Sequence, residues 1–244
     1  MIVFAGLIPN SPLLVKRSGK KAEKSLAAIS LIEQALEKTH PETLVIISQD
    51  AKHFSHTYAV PYAEKFTESL KRLGFISEHV TYPADIELLA KLHTYSRQHH
   101  IPLRTVHSDL LDKGCGMALR LLGVQRKKYS IITIGTSDLS IENHVEFGHQ
   151  LKEVLHSSSR RIGIIVTGSA SGEHTSRSII ASLANRSVAS LTHGVQASAT
   201  ETETLRRPLG VGYGLLHNFP LQTEIVCDEI FSDQALMSAI LFSD

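Results

Sequence analysis

Donor side chains for a metal ion follow two segments that have the composition of buried strands. Asp50 and His53 come after the apolar run 43–48, and His174 comes after the apolar run 161–167. Carboxylate oxygens and imidazole nitrogens are ligands that Fe(II) and Zn(II) accept, and an imidazole is suited to acid–base catalysis near neutral pH. These three residues form one candidate metal site, with His174 as the candidate catalytic residue. The alternative is that they are ordinary solvated side chains in a chain with 14 histidines.

Basic side chains indicate a second, different chemistry. Lys113, Arg206 and Arg207, together with the amide of Asn10, offer donors for a small anion. As an alternative, the three cations are ordinary surface charges. No Gly-x-Ser-x-Gly elbow or Walker loop is present, so hydrolase and nucleotide-binding functions lack a motif.

The overall charge and the cysteine pattern argue against several classes of protein. The chain has 25 basic and 24 acidic side chains, a formal net charge of +1, so we expect no nucleic-acid or membrane-surface partner. Cys115 and Cys227 lack CxxC spacing, and both are predicted to be buried rather than disulfide-bonded or zinc-bound. The first apolar run meets Pro9 and is too short for a signal sequence or a membrane span. We expect a cytoplasmic location.

Apolar runs of strand length alternate with amphipathic stretches along the chain. We predict strands at 1–6, 43–48, 57–60, 76–82, 103–107, 130–134, 161–167, 210–217 and 223–228. We predict helices at 18–38, 83–99, 115–122 and 233–241, and another between the strands 130–134 and 161–167. In helix 83–99 the face expected to pack is Ile86, Leu89, Ala90 and His93.

This alternation predicts a single α/β domain over residues 1–244, with a mostly parallel central sheet and helices on both faces. Ligands of such sheets bind in the crevice beyond the carboxyl ends of the strands. The loops that begin at Pro9, Gln49, Gly135 and Gly168 are therefore the segments in which to look for a site.

Three segments carry a family resemblance: Ile8-Pro9-Asn10-Ser11-Pro12, Glu146-Phe147-Gly148 leading to a strand that ends at Gly168-Ser169, and Pro208-Leu209-Gly210-Val211-Gly212-Tyr213. In this order they resemble the class III extradiol ring-cleavage dioxygenases of the subunit-B-like (LigB-like) branch and the related Memo-type proteins. The family's counterparts are Pro-His-Ser-Pro, a strand ending in Ser-Gly-Asp-Leu-Ser-His, and Gly-Pro-Phe-Gly-Val-Gly-Tyr. The resemblance covers nearly the whole chain, although the segment 172–210 is shorter than in the family.

The resemblance implies that the family's iron ligands are replaced here. In the family, Fe(II) is held by two histidines and a carboxylate, and a further histidine is the acid–base group. Carried over by position, Asn10 and about Asp50 replace the histidine ligands, Arg206 replaces the carboxylate, and Gly172 replaces the acid–base histidine. A guanidinium about 5 Å from a divalent cation repels it by roughly 7 kcal/mol at an effective dielectric of about 20. We therefore expect that the family's iron site is absent.

The loop from Gly135 to Ser140 allows further interpretations. Its amides precede a predicted helix and would suit an anion, but an N-cap by one of its serines or Asp138 is the simpler explanation. Its Asp-Leu-Ser run also echoes the family's acid–base motif. That alternative alignment would place Asp138 in the acid–base region with His144 nearby, but it puts the Glu-Phe-Gly helix out of order.

Two functional hypotheses follow. In the first, the chain is a non-catalytic relative of the extradiol dioxygenases, without a cofactor, whose crevice binds a small anionic molecule or a protein partner. In the second, it is a metal-dependent oxidoreductase that uses Asp50, His53 and His174 with Fe(II) or Zn(II). The resemblance also implies a homodimer. The sequence identifies neither the substrate nor the pathway.

Overall fold

The described helices and strands follow one another in the alternating order typical of an α/β protein. The computed structural model describes residues 1–15, 23–50, 54–68, 70, 80–124, 129–171, 179, 181–183, 185, 189, 191, 205–219, 224–231 and 234–243. Its strands are β1 (Ile2–Pro9), β2 (Thr43–Ser48), β3 (Tyr58–Tyr62), β4 (Lys65–Thr67), β5 (Thr81–Pro83), β6 (Leu103–His107), β7 (Ser130–Gly135), β8 (Ile162–Gly168), β9 (Ala170–Ser171), β10 (Glu224–Phe231) and β11 (Gln234–Ser243). Its named helices are α1 (Pro12–Val15), α2 (Glu23–Lys38), α3 (Ile86–Gln98), α4 (Lys113–Leu121), α5 (Ile141–His156) and α6 (Arg206–Leu215).

Seven strands form the central sheet. Six lie in the order β10-β11-β1-β8-β2-β7, and β9 pairs with β11. The four strands from β1 to β7 are parallel, and β11 is antiparallel to both β1 and β10. Almost every residue of the parallel strands is buried, as expected for strands covered on both faces. The predicted fold class, a mostly parallel sheet in one α/β domain, is confirmed.

Helices cover both faces of this sheet because alternate strand residues point to opposite sides. Ile46 and Ile165 pack in one apolar cluster with residues of α2 and α4. Their chain neighbours Ile47 and Val166 belong to the second cluster, with residues of α3, α5 and α6. The period of two along each strand therefore produces a three-layer arrangement.

The first turn of each of three helices is capped by a side chain. Asp85 accepts a hydrogen bond from the Leu88 amide at the start of α3, and Asp112 accepts one from the Cys115 amide at the start of α4. Ser140 accepts from the amide of Asn143 at the start of α5, so a serine of the loop 135–140 is indeed an N-cap.

The predicted strand at 210–217 is wrong, because these residues belong to helix α6. A Cβ atom at Gly214 would lie 2.0 Å from the carbonyl oxygen of Val145, and one at Gly148 would lie 2.3 Å from that of Val211. The backbones of α5 and α6 are therefore in direct contact. Glycine costs about 1 kcal/mol relative to alanine in a helix interior, a loss that this close packing offsets.

Two further predictions need correction near the ends of the fold. The helix predicted at 233–241 is strand β11, because its short apolar run pairs with β1 and β10 on its two sides. In α3 the buried stripe contains Leu88, Leu89 and Leu92, whereas Ile86 is 37% exposed. The stripe with more leucine buries the larger apolar area.

In the described part of the chain, we find no helix with the length and apolar composition needed to cross a membrane.

Replacing Gly214 by alanine tests the contact between α5 and α6. The added methyl group would overlap the Val145 carbonyl, so we expect Gly214→Ala to lower the free energy of unfolding by about 1–3 kcal/mol in urea titrations. Gly212→Ala is the matched control, since a Cβ there would lie 3.1 Å from the Val166 side chain and would gain helix propensity. Equal stability of the two variants would contradict the backbone contact.

Candidate functional site

The four parallel strands end together at one edge of the sheet. Pro9 at the end of β1 pairs with Gly168 of β8, while Ser48 of β2 pairs with Thr167 of β8 and Gly135 of β7. The residues that follow these strands therefore lie side by side. We call this region the strand-end crevice and define it by Asn10, Ser48, Asp50, Asp112 and Lys113.

The amide of Asn10 is bound to the carboxylate of Asp50. Asn10 Nδ2 donates to Asp50 Oδ2 at 2.7 Å, joining the residues that follow β1 and β2. The backbone amide of Asp50 donates to Ser48 Oγ at 3.1 Å, which holds the turn after β2. Two positions identified from the sequence are thus brought into direct contact.

Helix α4 begins against the same two residues of the β2 end. Ser48 Oγ donates to Asp112 Oδ1 at 2.7 Å, and the same carboxylate oxygen accepts from the Cys115 amide at 2.9 Å. A Cβ atom at Gly114 would lie 2.7 Å from Ser48 Oγ and 3.1 Å from Asp50 Oδ2, so the first turn of α4 fits only without a side chain there. Lys113 is exposed in this first turn.

The pKa of Asp50 is raised above its ordinary value. The largest cause is desolvation of the carboxyl group, and the negative charge of Asp112 adds to it. The Lys113 ammonium and the hydrogen bond from Asn10 act in the opposite direction without cancelling the rise. Asp50 therefore has an increased tendency to carry a proton, although the residue as a whole lies exposed at the rim.

Helix α6 also begins at this edge of the sheet. A Cβ atom at Gly168 would lie 2.9 Å from the Leu205 side chain and 2.6 Å from Gln49 Oε1. Arg206 is only 4% exposed, and its Nη1 donates to the carbonyl oxygen of Leu191 at 3.1 Å. Arg207 pairs with Asp138 at 3.1 Å. Both arginines start the helix at the crevice side, but these described contacts are with other groups than Asn10 and Asp50.

The residues at the family's iron-ligand positions do not fit a metal ion. Asn10 presents an N–H donor to Asp50, Lys113 places a positive charge beside that carboxylate, and Arg206 is a buried cation. Positive charges and N–H donors repel a cation rather than coordinate it. Within the described ranges, no group of three histidine, cysteine, aspartate or glutamate side chains is arranged to hold a metal ion. His53, Gly172 and His174 lie outside the described residues.

Several contributors to the crevice were missed from the sequence. Ser48 and Asp112 connect β2 to α4, but their contact joins residues 64 positions apart and leaves no local pattern. Gln49 and Ser169 join the ends of β2 and β8 through two hydrogen bonds of 3.3 and 3.2 Å. For Asp112, the signal that could have found it is the helix-capping type of residue just before Lys113-Gly114.

His144 has contacts within its own loop and helix. Its Nδ1 lies 2.7 Å from the carbonyl oxygen of Ser140, and its Nε2 accepts from the amide of Ser137 at 3.4 Å. The ring is buried and meets Tyr58 edge-on at 5.2 Å. These contacts order the loop after β7, which leaves the alternative alignment at Asp138 without support from the geometry.

Comparison with known proteins places the chain in a family. The family model of the catalytic LigB subunit of aromatic ring-opening dioxygenase matches residues 7–182, and the chain belongs to this family. The matched range contains Asn10 and Asp50 but ends before Arg206, so the equivalence of Arg206 rests on the local motif alone.

Two relatives illustrate how far the similarity extends. Protein CA_C1420 of Clostridium acetobutylicum is 22% identical over 175 residues, which are 66% of this chain and 37% of that protein. The chain thus spans little more than a third of that relative. The crystal structure of the uncharacterized protein JW3007 from Escherichia coli K12 has a TM-score of 0.65 and 14% identity, and the match covers 98% of this chain and 99% of the other. This structure shows a shared fold.

Substituting Asp50 tests the raised pKa through the pH dependence of stability. A carboxyl group whose pKa is raised by folding favours the folded state least when it is ionised, so its unfavourable contribution appears as the pH rises above about 4 and is complete above the folded-state pKa. We expect Asp50→Asn to be more stable than the parent at pH 7, by less than about 1 kcal/mol because the rim is solvent-screened.

The measurement is urea unfolding of both proteins between pH 3 and pH 8. The stability difference should shrink toward acid pH. A difference that is constant over this range would contradict the shifted titration. Glu87→Gln, on an exposed turn of α3, is a control for general charge effects.

Proposed function

We propose that this chain is a LigB-family protein without the family's iron site, and that its strand-end crevice binds a small molecule carrying an anionic group. The observation that carries the proposal is the 2.7 Å hydrogen bond between Asn10 and Asp50, with the Lys113 ammonium beside it. It joins the two positions at which the family's histidine ligands would be expected. On this proposal the chain is a pseudoenzyme with respect to ring cleavage.

The electrostatics of the crevice favour an anion over a cation. Lys113 stands in the first turn of α4, and Arg206 and Arg207 stand in the first turn of α6, where the partial positive charge of a helix N-terminus adds to theirs. Asp112 is neutralised in part by its hydrogen bonds with Ser48 and the Cys115 amide. In its protonated form, Asp50 would donate a hydrogen bond to the ligand.

The partners that we propose follow the same reasoning. The expected ligand is a small anionic molecule rather than a nucleic acid or a membrane, given the net charge of +1. A homodimer and a cytoplasmic location remain part of the proposal as expectations from the family resemblance and the amino-acid composition.

A second candidate function is a metal-dependent oxidoreductase of the extradiol ring-cleavage type. It is favoured by the pairing of β2 with β8, because the loops that carry Asp50 and His53 on one side and His174 on the other begin at neighbouring strand ends. In this alternative, Fe(II) or Zn(II) would bind to those three side chains, and His174 would move protons.

Metal content separates the two functions. After anaerobic incubation with Fe(II) or Zn(II) and desalting through a weak chelator, we expect less than about one tenth of an equivalent of metal that depends on Asp50, because the described donors repel a cation. Mass spectrometry of the parent, Asp50→Ala and His53→Ala/His174→Ala proteins measures this. Near one equivalent in the parent, lost in both variants, would establish the oxidoreductase alternative.

Anion binding is tested with inorganic phosphate and acetate as probes. We expect saturable binding in calorimetric or NMR titrations, weakened about three- to tenfold in Lys113→Met, because a charge-assisted hydrogen bond at an exposed rim is removed. Lys91→Met is the matched control, since Lys91 is exposed on α3 in an ion pair with Glu87. Absence of saturation with both probes, or equal loss in the two variants, would refute the anion site.

A further inference from the structure

Two histidines meet at the end of the contact between α5 and α6, outside the strand-end crevice. His149 lies on α5, and His217 lies two residues after the end of α6. Their ring centres are 4.8 Å apart and the ring planes are tilted by 56°. The backbone contact at Gly148 and Gly214 sets this distance, because each histidine is next to or near one of these glycines.

The spacing of the rings matches that of two imidazoles on one metal ion. A metal–nitrogen bond is about 2.0–2.1 Å, and the ring centre lies about 1.2 Å further, so bond angles of about 90–109° at the metal give ring centres about 4.5–5.2 Å apart. The observed 4.8 Å falls inside this range. A tilted rather than stacked arrangement leaves room for nitrogen lone pairs to converge.

A nitrogen atom of the pair is buried without a partner. His149 Nε2 is enclosed and has no hydrogen bond to any described residue. Its other nitrogen, Nδ1, lies 3.6 Å from Glu146 Oε2, and Gln150 holds the same glutamate through a hydrogen bond of 3.2 Å. A carboxylate beside the distal nitrogen is the usual outer partner of a metal-bound histidine, because it orients the ring and increases its basicity.

We propose that His149 and His217 bind a divalent transition-metal ion such as Zn(II), Ni(II) or Cu(II) on the surface of the α5–α6 pair. Imidazole ligands suit these ions, and Cu(II) should bind most tightly of the three. Over the described part of the chain no third protein donor completes the group, so water fills the remaining positions. Lys152, whose ammonium donates to the His217 carbonyl oxygen and lies over Phe219, is the nearby like charge that limits the affinity.

Calorimetric titration of Zn(II) into the metal-free, full-length protein at pH 7.5 tests the proposal. We expect one site whose affinity falls at least about tenfold in His149→Asn and in His217→Asn. His156→Asn is the control, because this histidine lies on the same helix and contacts Phe219 edge-on at 6.0 Å. Asp50→Asn should also leave the site unchanged, which separates it from any metal bound at the crevice.

Two further readouts keep the test decisive. His217 is exposed, so its substitution should not disturb the fold even if that of His149 does. Electron paramagnetic resonance of bound Cu(II) should show coupling to two imidazole nitrogens, reduced to one in His217→Asn. Binding should weaken below about pH 6.5, where imidazole takes up protons. An unchanged Zn(II) isotherm in His217→Asn would overturn the proposal.

Discussion

The contact between the backbones of α5 and α6 is the constraint on which the arrangement of both sites depends. With Gly148 facing Gly214, the two helices approach closely enough for α6 to lie along β8. Gly168 of that strand is next to Leu205, whereas Val166, nearer the middle of the strand, is next to Gly212. Helix α6 therefore runs antiparallel to the strand and starts at the strand-end crevice. A bulkier pair of residues would move Arg206 away from that edge.

The strand-end crevice shows how one fold can carry different chemistry at the same place. The family fold brings the ends of β1 and β2 together, and a metal ion there requires groups that donate electron pairs. This chain has an amide donor and a carboxylate at those ends, and the two satisfy each other by a hydrogen bond. Lys113 and the capped start of α4 add positive potential. The positions are retained while their electrostatic character is reversed.

Sequence reasoning succeeded where local pattern decides the structure. The run 43–48 is strand β2 with the predicted limits, because its continuous apolar residues are buried on both faces. It failed at 210–217, where glycines serve a helix contact that is visible only once α5 is in place, and at 233–241, where pairing with β1 overrides a helical pattern. For the site, the strand-end rule brought Asn10 and Asp50 together on the page before the structure did. The burial of Arg206 and the Ser48–Asp112 bond depend on tertiary packing and had no local signal.

The energetics of Asp50 give a physical reason to regard the crevice as a binding site. A purely structural role would place this carboxylate where the fold favours its charge, as Asp112 is placed by its helix cap. Instead, desolvation and the neighbouring Asp112 charge raise the pKa of Asp50, so the fold holds it in an unfavourable environment. Groups in such environments occur preferentially at functional sites, where a ligand can compensate the unfavourable interaction. An anion bound to Lys113 would favour the protonated acid and would accept its hydrogen bond, which couples the unusual acid, the exposed cation and the start of α4 in one binding event.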